Sequence, residues 1–110
     1  MYVPEVDPIG AMRLVNESDA ILLDVREDNE WAAGHAPGAI HVRLGVLDPQ
    51  TYDTTVPVVA VCRSGNRSGS AASKLAAAGV TVYNLAGGMK AWRETGQPVI
   101  RDDATVGTVI

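Results

Sequence analysis

Apolar residues along this chain come in short dense runs, and each run predicts an element. Ala20-Ile21-Leu22-Leu23-Asp24-Val25 shows almost no polar alternation, the pattern of a strand buried on both faces. Val56 to Val61 and Val80-Thr81-Val82-Tyr83 predict two further strands, and Ile40-His41-Val42 a brief one. Pro57 is tolerable because it stands near a strand start. Helical patterns lie between these runs. Asp7-Pro8 reads as an N-cap with proline in the first turn, followed by Ile9, Met12 and Val15 at helical spacing and a stop at Asn16-Glu17-Ser18. Glu27 to Ala33 predicts a short helix closed by Gly34. Ser68 to Ala78 predicts a longer one, with Ala71, Leu75 and Ala78 along one stripe and Gly79 as its cap. Gly87-Gly88 opens a last short helix through Trp92. Ala36-Pro37-Gly38-Ala39 reads as a turn and Leu44 to Thr55 as connection. Strands alternating with helices predict an α/β domain with a largely parallel sheet. The tail, residues 101–110, carries no clear pattern.

Composition narrows this picture. A chain of 110 residues is expected to be one domain, 1–110, built around one core. At that size roughly two-thirds of the unfolded surface is buried, enough to fold without disulfide or metal. A single cysteine allows no internal disulfide, and nothing points to an oxidising compartment. Met1 to Val6 lacks the basic and apolar regions of a leader, and no stretch is long and apolar enough to span a membrane, so the expected location is cytoplasmic. The net charge of −4 argues against nucleic acid as a partner. It hides an asymmetry: residues 1–53 hold ten acids and three bases, whereas residues 54–93 hold no acid and five bases. A local basic site on an acidic body suits a small anion. An Ala/Val/Gly-rich segment with few charged positions would show the same pattern.

The chemistry concentrates in Val58-Val59-Ala60-Val61-Cys62-Arg63-Ser64-Gly65-Asn66-Arg67-Ser68. The order places the only thiol at the C-terminal end of a strand and at the mouth of a helix. A free thiol titrates near ~8.5 and is mostly protonated at neutral pH. The segment from Arg63 to Arg67 is small enough to curl and turn its N–H groups inward as an anion nest, with Gly65 permitting the unusual dihedral. The helix dipole and the guanidiniums of Arg63 and Arg67 would add positive charge, and Ser64, Asn66 and Ser68 further hydrogen bonds. Such a cradle would stabilise a thiolate, a persulfide anion or an incoming oxyanion, and the thiolate is expected to be reachable from solvent. A lone cysteine after a Val-rich strand is otherwise a small buried hydrophobe. The flanking arginines favour the nucleophile, since a structural cysteine has no need of them. With no second cysteine, a Cys-x-x-Cys mechanism is excluded, and sulfur loaded on Cys62 must leave to an external acceptor. No general base stands beside the loop in sequence, and a pre-formed thiolate would need none.

These residues resemble a known family. Leu22 to Glu27, Glu30-Trp31 with Gly34 to Ile40, Cys62 to Ser68, and Leu85 to Trp92 with Pro98-Val99 match, in order, a single-domain rhodanese, a sulfurtransferase. The match covers a core of about 5–100. The resemblance implies a rhodanese-like fold: a mostly parallel five-stranded sheet flanked by helices on both faces, with the active loop at the C-terminal mouth of one sheet edge. It implies a ping-pong reaction in which Cys62 takes sulfur from thiosulfate or another small anionic donor, forms a persulfide and passes the sulfur to cyanide, a small thiol or a protein thiol. Arg63, Ser64, Gly65, Asn66, Arg67 and Ser68 match the substrate cradle. Asp24, Arg26, Glu30 and His35 match positions that brace the structure as a supporting network, and Gly87, Gly88 and Trp92 a structural turn and packing residue. Neither a cofactor nor a metal is expected. Related phosphatases carry one more loop residue, Cys-x5-Arg, whereas four residues separate Cys62 from Arg67 here, which makes phosphatase or arsenate reductase the weaker alternative. A protein-binding or regulatory module is the rival of another class, and such modules have usually lost the cysteine that this chain keeps.

Overall fold

The apolar runs build a five-stranded sheet in the computed structural model, which describes residues 3–110. The strands are β1 (Glu5–Val6), β2 (Ile21–Asp24), β3 (Ile40–His41), β4 (Val58–Val61) and β5 (Val82–Leu85). The helices are α1 (Pro8–Ser18), α2 (Asp28–Ala33), α3 (Asn66–Ala77) and α4 (Gly88–Glu94), and two 3-10 turns, Leu44–Val46 and Pro49–Thr51, fill the connection before β4. Every pairing is parallel, in the order β1-β5-β4-β2-β3. From β2 the chain passes to one side, to β3. From β4 it passes to the other, to β5. The connections therefore diverge between the carboxyl ends of β2 and β4, where open α/β sheets leave a crevice.

Side chains alternate across the sheet and divide the core in two. Leu22, Val59, Val61 and Leu85 face one side, where Ala11 of α1 and Met89 and Trp92 of α4 cover them. Leu23, Val58 and Ala60 face the other, under Ala71, Ala72 and Leu75 of α3. Cys62 continues the alternation of Val58 and Ala60 and so lies on the α3 side.

Several boundaries differ from the sequence pattern. The strand read over Val80 to Tyr83 is β5, two residues later, because α3 ends in a left-handed Gly79 whose N–H donates to the Ala76 carbonyl while that of Val80 donates to Leu75. This closing motif consumes Val80 as part of the helix cap. β4 begins after Pro57, and α3 begins at Asn66 rather than Ser68. The two-residue edge strand β1 carries no periodicity and escaped the pattern. Asp7 caps α1 through the N–H of Gly10, as read. Ile9 is exposed, however, and the buried stripe of α1 runs through Pro8 and Ala11. The active loop follows the central strand, not an edge strand. Among the described residues, no helix is long and apolar enough to cross a membrane.

Candidate active site

At the end of β4 the backbone turns away from the sheet, and α4 decides how. The N–H groups of Met89 and Lys90 donate to the carbonyls of Cys62 and Arg63 at 2.8 and 3.0 Å. With those carbonyls claimed by the first turn of α4, the amides that follow are free to face the sulfur. Gly65, at φ +114°, caps α3 in a conformation that favours glycine. Its N–H donates to Cys62 Sγ at 3.0 Å, and the Ser68 hydroxyl lies 3.2 Å from the same sulfur.

Burial pushes the Cys62 thiol up, but donors more than offset it: the Ser68 hydroxyl and the N–H groups of Ser68, Gly65 and Ser64 leave it below its ordinary value. Of the amides expected to turn inward at this loop, that of Gly65 makes a hydrogen bond to the sulfur. Two parts of the expectation fail. The cysteine is 1 % exposed, so the thiol is not an open surface group. The arginines also do not sit on the sulfur. Arg67 reaches from α3 to Glu30 of α2 in a bidentate pair at 2.6 and 2.8 Å. Arg63 is exposed and its Nε donates to the carbonyl of Ile110 at 3.0 Å. Ser64 and Asn66 are exposed, and neither side chain hydrogen-bonds to the sulfur.

The supporting residues separate into three groups rather than one network. Asp24 and Arg26 are buried together at the end of β2, with Nε 2.9 Å from Oδ1 and Nη2 2.8 Å from Oδ2. Arg26 Nη2 also donates to the Gly34 carbonyl at 2.8 Å, tying β2 to the end of α2. Its Nη1 is buried without a partner. Glu30 instead serves Arg67. That hydrogen-bonded guanidinium holds its carboxyl down at about 2 against an ordinary 4.5, despite partial burial. Glu30 thereby links α2 to the first turn of α3. His35 stands apart from both: Nε2 meets Asp102 at 2.9 Å, and its ring stacks on Trp31 at 3.6 Å. His41 stacks on the same Trp31 and takes the Arg26 carbonyl at 2.7 Å.

One site residue was missed. Asn84 of β5 is buried and lies 2.5 Å from Ser68 Oγ through its own Oδ1. The available signal was a lone amide inside the run Val82-Tyr83-Asn84-Leu85, which becomes a strand interior only once β5 is placed two residues later. Gly88 is buried at φ +58°, and a Cβ there would press on the Cys62 carbonyl and stand 2.6 Å from the Arg63 carbonyl. It holds the loop by permitting that close approach. Among the described residues, no cluster of His, Cys, Asp or Glu has the makings of a metal site.

Comparison with known proteins bears on what this arrangement does. The family described as "Rhodanese-like domain" matches residues 10–95. A thiosulfate sulfurtransferase GlpE of Pseudomonas fluorescens is 39% identical over 84 residues, covering 74% of this chain and 77% of that protein. GlpE of Actinobacillus succinogenes is 34% identical over 103 residues, covering 90% and 92%. Among solved structures, a rhodanese-related protein of Thermoplasma volcanium superposes with a TM-score of 0.80 at 24% identity, covering 88% of this chain and 97% of that one.

Proposed function

The chain belongs to the rhodanese-like domain family and is a sulfurtransferase of the rhodanese type, and from that premise we propose that it works through a persulfide on Cys62. The observation that carries this reading is a single buried sulfur that receives the Gly65 N–H at 3.0 Å and the Ser68 hydroxyl at 3.2 Å. Hydrogen bonds to a charged acceptor are worth about 1.5–3 kcal/mol each, and in a dry site they select the thiolate over the thiol.

The thiolate attacks the outer sulfur of thiosulfate. The Sγ–S bond forms, the donor's S–S bond breaks, and its electron pair leaves with sulfite. The negative charge then rests on the new terminal sulfur, which a nucleophile removes: cyanide departs as thiocyanate, and a thiol departs as its own persulfide. Each half-reaction returns a charged sulfur to the ring of amides, so no protein base is called for. A small anionic donor suits the burial of Cys62, because only a terminal sulfur need enter the ring. The net charge of −4 disfavours nucleic acid as a partner, and a lone thiol that must stay reduced suits the cytoplasm.

A thiosulfate:cyanide transfer assay beside an aryl-phosphate assay tests this reading. The wild type is expected to make thiocyanate and to leave the phosphate ester intact. Cys62→Ser is expected to lose transfer with unchanged circular dichroism, since the replacement is nearly isosteric. Transfer surviving in Cys62→Ser, or phosphatase activity without transfer, would overturn it.

A further inference from the structure

Ser68 carries one hydroxyl hydrogen and meets two acceptors. Its Oγ lies 3.2 Å from Cys62 Sγ and 2.5 Å from Asn84 Oδ1. Asn84 cannot relieve the conflict by turning its amide over. Its Nδ2 already faces the Gly65 carbonyl at 3.0 Å and Glu5 Oε2 at 3.3 Å, two acceptors that demand an N–H group. Oδ1 is therefore fixed toward Ser68, and both side chains are buried, where an unshared proton is costly.

We propose that Asn84 is a positioning residue for sulfur transfer: it takes the Ser68 hydrogen bond whenever Sγ is uncharged and yields it to Sγ only when Cys62 is a free thiolate. The inference rests on the persulfide reading above. In the thiol, Cys62 S–H donates to Ser68 Oγ and Ser68 O–H donates to Asn84, so every donor is used. In the thiolate, the hydroxyl rotates to Sγ and the short contact between Oγ and Oδ1 loses its proton. After loading, the Sγ–S bond has formed and the charge has moved to the outer sulfur, so the hydroxyl rotates back. No covalent bond to Ser68 or Asn84 forms or breaks at any stage. The unloaded thiolate is thus the only one of the three states in which Asn84 Oδ1 goes unpaired, while Nδ2 keeps Gly65 and Glu5, and Asn84 tilts the balance toward the loaded enzyme.

The charged groups around this chain of contacts are Glu5 on β1, which meets Asn84, and Arg67 on α3, which feels the Cys62 charge. The test follows the Asn84 side-chain carbonyl carbon by NMR in the wild-type protein while Cys62 is titrated. The signal is expected to move with the same midpoint as the thiol and to return toward its low-pH position when thiosulfate is added. E5Q is expected to leave that movement in place. N84A is expected to lower the thiol midpoint by roughly half a unit, the size of one neutral hydrogen bond, and to change nothing in an S68A background. An Asn84 carbon that stays still while the thiol titrates, a movement that disappears in E5Q, or a midpoint raised by N84A would each overturn the proposal. Failure of thiosulfate to load Cys62 would instead contradict the persulfide reading, a separate readout of the same samples.

Discussion

Burial pushes the Cys62 thiol up, and neutral donors rather than a cation in contact with it draw it below its ordinary value. Ser68→Ala removes the strongest of them, and with a charged hydrogen bond worth about 1.5–3 kcal/mol the thiol midpoint is expected to rise by about one to two units. Alkylation rate against pH reads this directly, and an unmoved midpoint would exclude Ser68 from the ring. The cysteine and its small loop were legible in the sequence because a strand end, a glycine and a helix start leave few other arrangements. The partners of the arginines were not. A guanidinium announces its charge but not which carboxylate takes it, and Glu30 stands 37 positions from Arg67. The Glu30–Arg67 pair makes its own prediction. Glu30 is depressed to about 2 from 4.5, so its stabilisation is complete above 4.5 and is lost as pH falls toward 2. Over that window wild type is expected to lose about 1 kcal/mol more stability than Glu30→Gln, as befits a partly exposed pair. Parallel denaturation curves for the two proteins would contradict the assignment.

At the level of elements, α4 shapes the site without contributing a side chain to it. Its first turn occupies the carbonyls of Cys62 and Arg63, and this needs Gly88 against their backbone. Gly88→Ala is expected to cost about 3 kcal/mol and most of the transfer activity, through a strained dihedral and a displaced loop. Gly45→Ala is the control: nothing lies within 4 Å of a Cβ there, and the change is expected to stay within about 0.5 kcal/mol. Thermal melts and transfer rates of the two variants decide the matter, and equal effects would remove α4 from the account. The central strands were readable because a strand covered on both faces is apolar at nearly every position. β1 and the true start of β5 were not. Two residues at a sheet edge carry no period, and Val80 looks like a strand residue until Gly79 claims its N–H for the helix cap.

Across the whole molecule the patternless tail proves to be part of the fold. Thr108 N–H donates to the Ala33 carbonyl at 2.9 Å, Gly107 N–H to Val99 at 2.8 Å, and Val109 packs on the core. Gly34 has no room for a Cβ because the Thr108 backbone would stand 2.6 Å away. Local sequence shows little of this, since the contacts of Thr108 with Ala33 and Gly34 join segments far apart in the chain. Removing residues 101–110 is expected to cost about 2–3 kcal/mol, from the lost hydrogen bonds alone. An unchanged denaturation midpoint would return the tail to the status of an appendage. The central claim is that the amides at the carboxyl end of β4 keep one buried sulfur ready to accept another. Intact-mass spectrometry after thiosulfate, and again after cyanide, tests it most directly. The mass of one added sulfur atom is expected, absent in Cys62→Ser and removed by cyanide; no adduct, or one that survives in the serine variant, would contradict it.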